Sequence, residues 1–130
     1  MKRHSKHTLA LLLQLALLIW LGSACATLKK APAVDITGNW QATVQTPEGD
    51  FEVTMYIRQS TGGILGATMD VPGMDVYDLA LIFSYENDVV HYEVVDAGYL
   101  FSGKLTDPST IEGTSSQPNG TRSLVFKRLE

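Results

Sequence analysis

From Gly38 to the C-terminus, apolar and polar residues alternate with a period of two, and no helical stripe of useful length interrupts them. Alternating side chains line opposite faces of a strand, so this pattern commits the chain to half-buried β-structure. Trp40, Ala42 and Val44 alternate with Gln41, Thr43 and Gln45; Phe51, Val53, Met55 and Ile57 alternate with Glu52, Thr54, Tyr56 and Arg58. Leu65, Ala67, Met69 and Val71 form a third apolar row. Leu79, Leu81 and Phe83 form a fourth, but Ala80 and Ile82 between them are also apolar, so this strand is expected to be covered on both faces. Val90, Tyr92 and Val94 alternate with His91 and Glu93, and residues 99–105, 111–115 and 123–129 complete a set of eight. The breaks are rich in turn formers, as in Thr46-Pro47-Glu48-Gly49-Asp50, Ser60-Thr61-Gly62-Gly63 and Pro118-Asn119-Gly120. Short connections favour sequential antiparallel neighbours. Eight of them close most simply as a single small antiparallel up-and-down β-barrel, which leaves no exposed edge. A two-sheet β-sandwich is the alternative.

The first 25 residues are of a different kind. Lys2, Arg3 and Lys6 make a basic start without acids, residues 9–21 are apolar except for Gln14, and Gly22, Ser23 and Ala24 are small. These are the three parts of a secretory signal peptide, and the apolar run is short for a bilayer span of about 20 residues. Two cleavage points fit. Leu21-Gly22-Ser23-Ala24-Cys25 resembles the lipobox of bacterial lipoproteins, with Gly22 where that family usually has leucine. Ala24-Cys25-Ala26 is an A-x-A site that discards the cysteine. Cys25 is the sole cysteine and has no intrachain disulfide partner, which favours lipid attachment. The expected organisation is signal peptide 1–25, tether 26–36 around Pro32, and barrel 37–130. The expected location is the bacterial cell envelope, in the outer membrane of a Gram-negative cell, reached through the lipid alone; without lipidation the chain is periplasmic or secreted.

Cleavage removes Lys2, Arg3 and Lys6, leaving 7 of the 10 basic residues against all 14 acids, a formal charge of −7. That argues against nucleic acid as a partner and against electrostatic docking to anionic lipid. About a hundred residues without a disulfide must be held by one hydrophobic core.

Ile36-Thr37-Gly38-Asn39-Trp40 resembles the G-x-W opening of lipocalin-like and streptavidin-like (calycin-type) barrels. In order along the chain, that opening, a strand over residues 65–70, a strand pair over residues 79–95, Gly103-Lys104-Leu105, Ile111-Glu112-Gly113-Thr114 and Leu124-Val125-Phe126-Lys127-Arg128 resemble the small β domain found N-terminal to secreted bacterial α/β-hydrolases. The similarity spans residues 36–128, carried by the order of short motifs. One departure is that the family often has tryptophan after the Gly-Thr, where this chain has Ser115. The chain as given ends at Glu130, so the resemblance implies an accessory or binding barrel and not hydrolase activity.

Chemistry-bearing residues are few. His91 is the only histidine after the signal segment and shares its strand face with Glu93, opposite Val90 and Tyr92. No Gly-x-Ser-x-Gly elbow occurs. Asp70, Asp75 and Asp78 cluster about one loop but follow no calcium-loop spacing. Gly62-Gly63 reads as a hairpin turn, since no helix follows it to make a phosphate cradle. Neither a catalytic residue, a metal nor a cofactor is expected. Trp40, Phe51, Tyr56, Phe83, Tyr92, Tyr99 and Phe101 are candidates to line the interior. The candidate ligand-binding set is Trp40, Met55, Met69, Phe83, Tyr92 and Phe101, against the plainer reading that these residues fill the barrel. The function expected is a non-catalytic, lipid-anchored lipocalin-like barrel that binds a small apolar ligand or an envelope protein. The alternative is an accessory module of a separately encoded secreted α/β-hydrolase.

Overall fold

The computed structural model describes residues 33–130; the signal segment, Cys25 and most of the tether lie outside the described residues. The described residues form eight antiparallel strands that close into a barrel in the order of the sequence. The strands are β1 (Gly38–Thr46), β2 (Gly49–Gln59), β3 (Leu65–Val71), β4 (Val76–Glu86), β5 (Val89–Val94), β6 (Tyr99–Asp107), β7 (Thr110–Gln117) and β8 (Gly120–Arg128). The up-and-down barrel read from the alternation is therefore the fold. Two short 3₁₀ turns, Pro72–Met74 and Val95–Ala97, join β3 to β4 and β5 to β6. Between β4 and β5, Asn87 and Asp88 both take positive φ, of 52° and 63°, as a tight two-residue hairpin requires.

The inward row of each strand supplies the core. Trp40, Met55, Ile57, Val90, Ile111 and Phe126 are fully buried, and Phe101 nearly so. Ile36 belongs to this core as well: it is 1% exposed, and its carbonyl accepts the indole N–H of Trp40 at 2.9 Å.

One end of the barrel is sealed around that tryptophan. The Arg128 guanidinium lies 4.4 Å from the Trp40 ring centroid, a cation–π distance. The same guanidinium donates to Pro108 O at 3.1 Å, Thr37 O at 2.6 Å and Asp35 O at 2.8 Å. Gly38 passes beneath it with φ of 136°, where a β-carbon would stand 3.1 Å from Arg128 Nη1. The glycine two residues before the tryptophan is thus required both by its backbone conformation and by its neighbour.

The wall is not uniform. β1 pairs with β8 at only two positions, Trp40 with Arg128 and Gln41 with Lys127. β4 changes partner midway, pairing with β3 up to Leu81 and with β5 from Ile82 onward. Leu79, Leu81 and Phe83 point inward but are only half-buried, and Ile82 on the outer face is 61% exposed. The expected cover on both faces of β4 is therefore absent among the described residues. Its apolar outer residues had suggested a buried strand, but the barrel has only one inside.

Candidate functional site

The six candidate ligand-binding residues all point inward, and their registers join them into two rows. Trp40 faces Met55 across β1–β2, and Met55 faces Met69 across β2–β3. Phe83 faces Tyr92 across β4–β5, and Tyr92 faces Phe101 across β5–β6. The Tyr92 and Phe101 rings stack at 5.0 Å, and Phe126 meets Phe101 edge-on at 5.4 Å. Burial pushes the Tyr92 phenol far above its ordinary pKa, with Tyr99 adding to the shift, so the ring stays neutral at any physiological pH. Five of the six are nearly inaccessible, and only Phe83 keeps partial exposure. These residues mainly fill the barrel.

Tyr56 is a correction to the interior set. It stands on the outer row of β2, where its hydroxyl donates to Asp70 Oδ2 at 3.0 Å and Arg58 lies 5.5 Å from its ring centroid. The strand alternation puts Tyr56 with Thr54 and Arg58, and that phase outweighs the attraction of an aromatic ring for the core. The hydrogen bond to Asp70 holds the phenol above its usual pKa range. The other Asp70 oxygen accepts the Asp78 backbone N–H at 2.8 Å and secures a residue with φ of 53° beside the irregular pairing of β3 and β4. Both Asp70 oxygens are thus engaged within the protein, and no group of three or more acidic, histidine or cysteine side chains among the described residues is placed to hold a metal ion.

His91 is exposed on the outer wall, as the burial of Val90 and Tyr92 requires. It is flanked across the sheet by Ser84 and Ser102, with Glu93 on the same face. These residues border a cleft of about 490 Å³ together with Ile82, Leu100, Thr114 and Ser116. Serine, histidine and glutamate do stand together here. In a Ser-His-Asp triad the imidazole is oriented by a buried carboxylate, whereas Glu93 is half-buried.

A second cleft, of about 630 Å³, lies where β1 and β8 part. Beyond Gln41 the two strands no longer pair, and an arginine takes over from the backbone: Arg122 Nη1 donates to Gln45 O at 2.7 Å. The cleft runs from Gln41, Thr43 and Lys127 on the wall to Val44, Leu124, Tyr99 and Ser115. Ser115 is fully buried, and its Oγ has no hydrogen-bond partner. Ser115 and Arg122 continue the row Phe83–Tyr92–Phe101 across β7 and β8. Neither residue belongs to the six candidates, although Ser115 is the position that departs from the resembling family. The signal was present: Arg122 stands in phase with Leu124 and Phe126, a charge on an otherwise apolar row.

No family model, curated protein or solved structure matches the chain.

Proposed function

We propose that this protein is an exported, lipid-anchored, non-catalytic barrel of lipocalin-like kind that binds a small apolar ligand in the cell envelope. The observation that carries this reading is the cleft between β1 and β8. It falls within the roughly 300–1,000 Å³ range of small-molecule sites and leads from the surface to apolar side chains, whereas the rest of the interior is filled by its own residues. The Trp40–Arg128 seal supports the lipocalin-like reading, since it gives the G-x-W opening a physical role at a closed end. Native mass spectrometry of the exported form is the test. A diacylated Cys25 at the N-terminus and a retained small molecule are the expected results; a bare polypeptide mass would count against both. Cys25→Ser is expected to move the protein from the membrane to the soluble fraction while leaving its circular dichroism unchanged, and unchanged fractionation would remove the lipid anchor from the proposal.

The non-catalytic reading is tested at His91. An exposed residue away from caps and packed contacts usually changes stability by no more than about 0.5 kcal/mol. His91→Ala is expected to stay within that limit and to retain ligand to within about tenfold, equal to about 1.4 kcal/mol. A larger loss would place chemistry or binding on the outer wall.

A second reading is a protein partner, a separately encoded secreted α/β-hydrolase by the resemblance. It is favoured by Ile82 and Leu100, which are 61% and 50% exposed and border the same outer cleft. Replacing both with serine would abolish such a complex and leave the cleft between β1 and β8 intact.

A further inference from the structure

We infer that the cleft between β1 and β8 selects an amphipathic molecule with a single carboxylate head, which Arg122 and Ser115 receive while Val44, Leu124 and Tyr99 line its apolar part. The inference rests on the proposed binding function and adds the chemistry of the ligand. Three independent observations support it. The first is the Ser115 hydroxyl, wholly buried on a border of the cleft and without a partner. Leaving such a group unsatisfied costs about 1–3 kcal/mol, and a ligand oxygen that reaches it past the side chains now covering it would recover the bond.

The second is Arg122, which faces Ser115 directly across β7–β8. One of its nitrogens is committed to Gln45 O at 2.7 Å. A guanidinium carries five N–H donors in a planar fork that matches the two oxygens of a carboxylate. Ser115 then supplies a third donor from the neighbouring strand.

The third is the sign of the charge. The chain holds 14 acidic residues against 10 basic ones, yet among the described residues no aspartate or glutamate borders this cleft, and the charged residues that do are Arg122 and Lys127. In an acidic protein this is a local basic site with apolar walls. Such a site attracts an anion and penalises a cation of the same shape.

The test uses the mature chain purified after export, with Cys25→Ser so that no detergent is needed. Calorimetric titrations with decanoate, decanol and decyltrimethylammonium compare three heads on one tail. Decanoate is expected to bind at least tenfold more tightly than decanol, and the ammonium probe least of all. Arg122→Met should abolish the preference for decanoate over decanol. Ser115→Ala should weaken decanoate severalfold without lowering the melting temperature, because it removes an unpartnered hydroxyl. This second variant decides the matter if Arg122→Met proves poorly folded. Decanol binding as tightly as decanoate would overturn the carboxylate inference and leave the binding function standing. Decanoate binding unchanged in Ser115→Ala would assign that hydroxyl to water and overturn its role. Failure of all three probes to bind would remove the ligand site itself, and the proposed function with it.

Discussion

Gly113→Ala is expected to destabilise the barrel by about 3 kcal/mol, the upper end of the usual cost of overpacking. At about 4–8 °C per kcal/mol for a domain of this size, the melting temperature should fall by more than about 10 °C. Gly113 faces Gly103 across β6–β7. A β-carbon on Gly113 would run into Ser102 O and Gly103 Cα, which are backbone atoms of the neighbouring strand, and would stand 2.8 Å from Phe101 Cζ. The Phe101 ring occupies the space that two β-carbons would otherwise fill. At Gly103 the obstacles are side chains, with Phe101 Cζ at 2.6 Å and Ile111 Cγ2 at 3.0 Å. A ring can rotate and a strand backbone cannot, so Gly103→Ala should cost less than Gly113→Ala. Thermal melts of the two variants check both the size and the order; a Gly113→Ala protein melting within a few degrees of the parent would show that β6 and β7 can part freely.

Trp40→Ala is expected to cost about 3–5 kcal/mol, the usual price of removing a large buried aromatic side chain. A domain of this size has roughly 5–15 kcal/mol in total, so the variant should be partly unfolded at 37 °C or nearly so. Trp40 is fully buried, donates its indole N–H to Ile36 O and lies under the Arg128 guanidinium. It also provides one of only two paired positions between β1 and β8. Its loss therefore opens a cavity and loosens the closure together. Denaturant unfolding followed by circular dichroism measures the effect, and a melting temperature close to that of the parent would place the tryptophan's energetic role elsewhere.

The strands and the closed barrel were legible in the sequence because side-chain alternation and turn residues are local signals. Trp40, Val53, Met55 and Ile57 all read inward from period alone, and all are buried. At Tyr56 residue type and strand phase disagree, and phase decides. β4 misled for the opposite reason, since apolar residues on both of its faces are compatible with burial but do not cause it. The cleft between β1 and β8 is legible only faintly. It depends on where two strands distant in sequence stop pairing, and no residue announces that. Only the charge of Arg122 on an apolar row, and the serine where the resembling family often has tryptophan, hinted that the row Phe83–Tyr92–Phe101 had a polar end.

Every strand pair but one joins neighbours in sequence, so most of the sheet can zip from its own tight turns. Closure is a different event: Arg128 must find Thr37 O, 91 residues away along the chain. Pairings of that span form late in folding, because the loop entropy is lost before the contact is gained. A chain that has zipped but not yet closed is a curled meander with an open apolar face and two unpaired edges, the form most able to add a strand from a second copy. Its β8 edge carries Arg122, Lys127 and Arg128. Like charges on two such edges repel, so the pairing of one β8 edge with another is disfavoured.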